Sequence, residues 1–389
     1  MRLAVIGAGA IGCAVARAAA RHDGVEVTLF DRNRPGAGTT GTTLGWINAH
    51  NKEPRAYFEL NRAGLRAHAE LQRNEPTSQR WYFPHGNLEW AVSGGHVQDL
   101  HETVTRLRER GYPAEWIDRR RAAAIAPDAV VGDDVEAIAW FPEEGFVVPA
   151  LLLARLLGEA RDRGAIVRTG QAVQRVDTTS AGAVVRVAGG PAERFDAVVS
   201  CAGRWTGPLL AGSGVVVPMA DPGAAGSPAV GYLGYTDPVP SRLSCLLTTP
   251  ALNVRPEGGG RLVVQGLDLD ASADPAREPS AAVRDELRAR LRTLLRGAEH
   301  AEVAEVRVGQ RALPADGHTV AGFVDTAARH YTIATHSGMT LCLHLADLAI
   351  AEVLAGREQA ELAGFRPQRF TAGTADPNRL VAARRPGQQ

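Results

Sequence analysis

Residues 3–32, LAVIGAGAIGCAVARAAARHDGVEVTLFDR, leave this chain little choice in how it begins to fold. Leu3 to Ile6 is a short apolar run that reads as a strand. Gly7, Gly9 and Gly12 follow with G-x-G-x-x-G spacing, and the Ala-rich stretch from Ile11 to Arg21 favours helix. Val25 to Phe30 reads as a second strand, and Asp31 closes it 19 residues after Gly12. Gly7 permits a tight turn, Gly9 lets backbone approach a diphosphate, and Gly12 lets the helix lie close on the strand. The helix start, with Ala10 and Ile11, offers unpaired N–H groups and a positive dipole end to an anion. Asp31 is placed to accept hydrogen bonds from a ribose 2′-hydroxyl, with Arg32 beside it. Strand, glycine turn, helix, strand and acid in this order predict a dinucleotide-binding unit. The N-terminal Arg2 and its apolar run superficially match a secretory signal, but three glycines would interrupt the apolar core of one.

Composition narrows the remainder. A chain of 389 residues suits two domains. Lys+Arg and Asp+Glu balance at 43 each, so no charge excess points to nucleic acid or an anionic membrane. No run approaches the roughly 18 apolar residues of a membrane span. Cys13, Cys201, Cys245 and Cys342 are widely spaced without a C-x-x-C, which predicts reduced thiols in a cytoplasm, no disulfide frame and no metal site. Lys52 is the only lysine.

The texture of the chain alternates. The loop RPGAGTTGTTLGWINAH follows Asp31, and Pro54 to Leu71 and His96 to Arg110 read as helices. Leu88, Trp90 and Val92 alternate as in a strand. Pro149 to Gly164 reads as a helix, followed by short strands and by the apolar strand of FDAVVSCAGRW. From Pro218 to Gly266, Gly, Pro and Thr punctuate short alternating segments, as in an antiparallel sheet. Ser280 to Arg296 is an amphipathic helix, and the last block is a strand, a Ser–Gly turn and a long apolar helix closed by Gly356. This pattern predicts an α/β, two-domain fold: a Rossmann-like nucleotide domain from 1–50, 145–217 and 305–370, interrupted twice by a mixed or antiparallel-sheet substrate domain from 51–144 and 218–304. Residues 371–389 are expected to form a flexible tail.

With VIGAGAIG, TTGTTLG, VPALLLARLL, DAVVSCAGRW, RALPADGHTVAG and THSGMTL in order, the chain resembles the D-amino-acid oxidase family of flavoproteins, which includes glycine oxidase, sarcosine oxidase and D-amino-acid dehydrogenase. The resemblance implies FAD as the bound nucleotide. It implies that Gly7, Gly9, Gly12 and Asp31 hold adenosine and diphosphate, that Thr39 and Thr40 line the diphosphate and flavin edge, and that Val173 pairs through its backbone with adenine. Cys201, Ala202 and Gly203 would approach the isoalloxazine, and Gly338, Met339 and Thr340 would begin a helix whose positive end faces it.

For the substrate, the resemblance implies that Arg311, five residues before Asp316, binds a carboxylate, which its fork matches bidentately. The alternative is a structural ion pair of Arg311 with Asp316 or Glu305. His336 is a candidate pocket wall. Trp46, Tyr232, Tyr235, Asn253 and Arg255 are candidates for the substrate pocket. The expected reaction is oxidation of the C–N bond of a small amino acid or secondary-amine acid, with hydride passing to flavin N5 and an imine as product. Alternatives are oxidation of a 2-hydroxy acid or other anionic alcohol, with His336 as base, and a flavoprotein subunit without its own turnover. Relatives that attach flavin covalently use a Cys seven residues before the motif Asp; Gly309 stands there, so FAD is expected to be non-covalent. Relatives that react with oxygen use a Lys on a strand that here reads RLVVQG, so the electron acceptor, O2 or another, is left open, as is any oligomer.

Overall fold

The structure, a computed structural model, describes residues 1–211 and 215–370. The tail expected at 371–389 lies outside the described residues. A six-stranded sheet runs in the order Val320–Phe323, His330–Ala334, Ala197–Ser200, Arg2–Ile6, Glu26–Phe30 and Ile166–Arg168. Its neighbours are parallel except for the first pair. Alternation along the strands sorts their side chains onto two faces. Leu3, Val5, Val27, Leu29 and Val199 point to a core that includes the helices Ala10–Ala20, Pro149–Asp162 and Gly338–Ala355. Ala4, Ile6, Phe30 and Val198 point the other way, onto the three-stranded antiparallel sheet of Val173–Thr179, Gly182–Val187 and Ala192–Phe195. Both faces are covered, which explains why the strand sequences are continuous apolar runs.

The second large sheet has eight strands, in the order Val303–Gln310, Val230–Thr236, Arg261–Gln265, Asn253–Gly258, Leu246–Thr248, Asn87–Ala91, Ala137–Phe141 and Glu115–Trp116. It is antiparallel apart from the junction of Leu246–Thr248 with Asn87–Ala91. Helix Ala281–Leu294 puts Val283, Leu287, Leu291 and Leu294 against one face, with Leu88, Tyr232, Leu247, Val254 and Val264. The face of opposite alternation carries Glu89, Thr248, Asn253 and Gln265.

Two boundaries differ from the sequence reading. Val303–Gln310 was expected to open the last nucleotide-side piece, yet it pairs with Val230–Thr236 as the edge of the eight-stranded sheet. Its alternation alone could not tell which sheet it joins. Helix Arg55–Gln72, placed by sequence with the substrate domain, buries Tyr57, Phe58, Leu60 and Leu65 in the core of the parallel sheet. It crosses helix Gly338–Ala355 so closely that a Cβ at Gly64 would lie 2.4 Å from the Thr340 carbonyl oxygen.

Helix Gly338–Ala355 is also 18 residues long and apolar enough, by length and composition, to cross a membrane, in contrast to the expectation from sequence that no run approaches that length. Here it is packed between Ala10–Ala20 and Arg55–Gln72, with Leu341, Cys342, Leu345 and Ala349 inaccessible. Gly356 closes it at φ +64.

Burial also sets an acid limit on stability. His68 Nε2 lies 2.8 Å from the Met339 carbonyl oxygen, and His330 Nε2 lies 3.0 Å from Ser200 Oγ. Burial pulls each down to about 4. The unfolded chain therefore binds protons that the folded chain refuses, and stability is lost as pH falls from about 6.5 towards 4. Each histidine contributes at most roughly 1.4 kcal/mol of loss per pH unit in that window. Urea midpoints measured near neutrality and near pH 5 are expected to differ accordingly, and His68→Gln is expected to reduce the difference.

Candidate active site

A cavity of about 420 Å³ lies along the carboxyl ends of the parallel strands, where open α/β sheets hold ligands. Its cradle is built by backbone against backbone. Gly7 sits at φ +100, and a Cβ there would lie 2.4 Å from the Cys201 carbonyl oxygen. A Cβ at Gly12 would lie 1.7 Å from the Gly7 carbonyl oxygen. Gly12 therefore serves the helix–strand contact and does not border the cavity, whereas Gly7, Gly9, Ala10 and Ile11 do. The loop from Gly36 to Thr43 folds over the helix start: Thr40 Oγ1 accepts from Ala10 N at 3.0 Å, and Thr39 Oγ1 donates to the Gln310 carbonyl at 2.6 Å.

Asp31 borders the same space. Its oxygens accept from Ala8 N and Asn33 N, both at 2.7 Å, which fixes the carboxylate and leaves each oxygen a lone pair for a ribose hydroxyl. Arg32 stacks on Trp205 at 3.8 Å, and Arg204 stacks on the same ring at 3.7 Å. Burial and the Arg32 charge lower Arg204 only to about 10, so its guanidinium stays charged over Trp205, whose ring lines the cavity. Trp205 was not singled out from sequence, although it directly follows the CAGR run; nothing in one sequence marks that its ring turns to the cavity. Gln171, Ala172 and Val173 line one end, Cys201, Ala202 and Gly203 the middle. Burial raises the Cys201 thiol well above its ordinary value, so it acts there as a small apolar group. A glycine cradle, a held acid and two cations fit FAD.

The other end is closed by Ala312, Thr335, His336, Gly338 and Met339. Thr340 begins the same helix but turns away: its Oγ1 lies 3.4 Å from Asn48 N and 3.5 Å from the Trp46 carbonyl. One helical turn sends successive side chains to different sides. Burial, then the charges of Arg311 and Lys52, pull His336 down to about 3. His336 is therefore neutral near pH 7 and is too weak a base to suit alcohol oxidation.

Arg311 is engaged by the protein. Nη1 donates to the Pro228 carbonyl at 2.8 Å and to the Val230 carbonyl, and Nη2 pairs with Asp270 Oδ2 at 2.6 Å. The structural partners expected from sequence are otherwise occupied: Asp316 pairs with Arg369 at 2.7 Å and Glu305 with Arg307 at 2.6 Å. Asp270 lies 41 residues away in sequence, and no motif links it to Arg311. Three of the five guanidinium donors are used, which leaves two that an anion could accept from.

Behind this wall lies a buried polar cluster. Glu144 is inaccessible and accepts from Trp46 Nε1 at 2.9 Å and Tyr112 Oη at 3.1 Å, with His50 Nδ1 at 3.3 Å. His50 Nε2 lies 3.4 Å from Glu89. Burial works against a charge on His50, but Glu89 and Glu144 outweigh it, so its affinity for a proton is raised. Lys52 is buried too, and desolvation lowers it to about 7 against the pull of Glu144.

Four substrate-pocket candidates border neither this cavity nor a second one, of about 380 Å³, over the polar face of the eight-stranded sheet. Trp46 is held by Glu144. Tyr232 packs in the core beneath helix Ala281–Leu294, with its hydroxyl donating to the Ser272 carbonyl at 2.8 Å. Tyr235 is stacked by Arg307 at 4.5 Å. Arg255 is inaccessible and ties the sheet to the glycine loop by donating to the Leu44 carbonyl while pairing with Glu257. Asn253 alone faces a cavity. A single strand residue carries no sign of which sheet face turns inward.

The fold and this cavity define an FAD-dependent oxidoreductase. The chain belongs to the DAO family of FAD dependent oxidoreductases, whose family model matches residues 2–352. It is similar to glycine oxidase from Geobacillus kaustophilus, with a TM-score of 0.79 at 23% identity over 95% of this chain and 99% of that one. Among curated proteins it is 27% identical over 212 residues to the tRNA 5-methylaminomethyl-2-thiouridine biosynthesis bifunctional protein MnmC of Acidovorax sp. (strain JS42), covering 54% of this chain and 32% of that protein. It is 24% identical over 222 residues to 4-methylaminobutanoate oxidase (formaldehyde-forming) of Paenarthrobacter nicotinovorans, covering 56% and 26%. The match spans about a third or less of these relatives' length.

Proposed function

We propose that the chain oxidises the C–N bond of a small amine-bearing acid, an amino acid or secondary-amine acid, to an imine. The observation that carries this reading is Arg311, which does not itself line the FAD cavity but stands next to Ala312, which does, and close enough for its charge to act on His336. The names of the relatives, glycine oxidase and 4-methylaminobutanoate oxidase, support an amine substrate. Bound FAD supplies the hydride acceptor. Arg311 offers its two remaining donors to a carboxylate, and Asp270 with the two backbone carbonyls keeps the fork from turning. His336, neutral, closes the pocket without adding charge. The start of helix Gly338–Ala355 places its positive end on the cavity, favouring negative charge there. Ala202, Ala312 and Met339 give this part of the cavity wall an apolar surface.

The test is anaerobic addition of small D-, N-methyl and cyclic amino acids to the FAD-loaded protein. Loss of the flavin's visible absorbance with at least one of them is expected. No loss with any of them, at high concentration, overturns the substrate class. Acid precipitation is expected to leave a colourless pellet and a yellow supernatant, because Gly309 offers no thiol for attachment.

Lys52 gives this site a pH dependence. Its charge raises the affinity of the neighbouring wall for an anion and is lost as pH rises through about 7. Acetate, followed by its effect on the flavin spectrum, is expected to bind several-fold more weakly near pH 8 than near pH 6. Lys52→Met is expected to flatten that dependence.

A further inference from the structure

Helix Gly338–Ala355 begins at the FAD cavity without the cap that its sequence offers. Gly338 and Met339 border the cavity. The first bond within the helix runs from Leu341 N to the Ser337 carbonyl at 2.9 Å. The N–H groups of Gly338, Met339 and Thr340 therefore have no partner inside the helix. A serine just before a helix ordinarily accepts from one such group. Ser280 does so from Val283 N at 3.4 Å, and Asp118, before helix Arg119–Ile125, does so from Arg121 N at 2.7 Å. Ser337 does not. Its side chain makes no cap bond, and its backbone, at φ −76 and ψ 30, lies outside the extended region that a capping residue adopts.

Two neighbouring elements turn it away. Tyr57, on helix Arg55–Gln72, donates to Ser337 Oγ at 2.9 Å. Burial raises the Tyr57 phenol above its ordinary range, so it stays protonated and keeps its donor. Thr335 Oγ1 accepts from Ser337 N at 3.1 Å, and it shares a hydrogen bond with Thr319 Oγ1 at 2.8 Å. Tyr57, Thr319, Thr335 and Ser337 are all buried. Burying four hydroxyls is costly unless they are hydrogen-bonded, and these are bonded to one another and to the Ser337 backbone. The product of the arrangement is the direction of Ser337: side chain towards Tyr57, N–H towards Thr335, and neither towards the open helix start.

We propose that Tyr57 and Thr319 are positioning residues that hold the Ser337 hydroxyl off its own helix, so that the first N–H groups of helix Gly338–Ala355 are kept for bound FAD. A capped helix start has already committed one of its donors to the protein. An uncapped one presents its full partial positive charge to the cavity, where it favours the negative charge that FAD gains on reduction. Neither Tyr57 nor Thr319 borders the cavity, so both act through Ser337 and Thr335. The inference concerns the cofactor alone and stands whichever substrate is oxidised.

The experiment is a double-mutant cycle on the FAD-loaded protein, with no substrate present. It is read by the midpoint potential of the flavin and by titration with sulfite, an anion whose addition to oxidised flavin leaves the ring negatively charged. Tyr57→Phe keeps the ring and removes the hydroxyl, which frees Ser337 to serve its own helix. Sulfite binding is expected to weaken about three- to tenfold, and the potential to fall with it. Ser337→Ala has no hydroxyl to divert and is expected to stay within about twofold of the unaltered protein. In that background Tyr57→Phe is expected to have no further effect on either readout. An equal loss in both backgrounds makes Tyr57 merely structural and overturns the proposal, as does an unchanged potential and sulfite affinity in Tyr57→Phe alone. If Tyr57→Phe does not retain flavin, Thr319→Val, which releases Thr335 and with it the Ser337 N–H, takes its place in the same cycle with the same expectations.

Discussion

Arg311→Met is expected to lower kcat/KM for a carboxylate-bearing amine by a factor of roughly 30 to several thousand, equivalent to about 2–5 kcal/mol. The loss has two sources that a second variant separates. One is the missing fork for the carboxylate. The other is Asp270, left partly buried beside two carbonyl oxygens that Arg311 no longer serves. Asp270→Asn removes the competing charge while keeping the hydrogen bond that the Tyr232 N–H donates at 2.9 Å. It is therefore expected to tighten carboxylate binding, the opposite of what loss of structure would do. Steady-state kinetics and acetate titration of both variants check this. If Arg311→Met leaves kcat and KM unchanged, Arg311 is only a structural tie between the strand end at Gln310 and the Leu267–Ser272 turn.

Gly12→Ala is expected to be the most damaging single methyl group in the protein. The 1.7 Å approach to the Gly7 carbonyl oxygen is to backbone, which cannot swing aside, and Gly7 is itself wedged against the Cys201 carbonyl. The helix must lift from the strand, so a loss above about 4 kcal/mol is expected, with little soluble protein and no bound flavin. Gly9→Ala is the control. Its added carbon would meet the Thr40 hydroxyl at 3.2 Å, a side chain that can move. That variant is expected to fold with a near-native Tm and to bind FAD weakly. The FAD-to-protein ratio and thermal unfolding of the pair distinguish the roles. A well-folded yellow Gly12→Ala protein would contradict the backbone geometry.

The parts of this site legible in the sequence are those encoded locally. Gly7, Gly9, Asp31, Thr39, Thr40, Val173, Gly203 and Gly338 sit at strand ends or helix starts, where spacing along the chain fixes position, and they border one cavity. What depends on contacts between distant segments was not legible. The partner of Arg311 comes from a turn in the other sheet. Trp46 and Tyr232 were plausible pocket residues by type, yet Glu144 and a core beneath a helix hold them. Lys52 was conspicuous as the sole lysine, but only tertiary structure sets it behind His336. The polar row of Glu89, Thr248, Asn253 and Gln265 is assembled from strands far apart in sequence, so no motif announces it.

The parallel sheet carries a consequence for biosynthesis. Its central strand, Arg2–Ile6, finds one neighbour at Glu26–Phe30 but the other only at Ala197–Ser200, and the sheet is completed by Val320–Phe323 and His330–Ala334. On the ribosome, an apolar strand edge and the underside of helix Ala10–Ala20 must wait for most of the polypeptide to emerge. At about 5–20 residues per second that wait lasts tens of seconds. Holdase chaperones and slowed translation in the second half of the message are therefore expected to govern the yield of native protein more strongly than its final stability does.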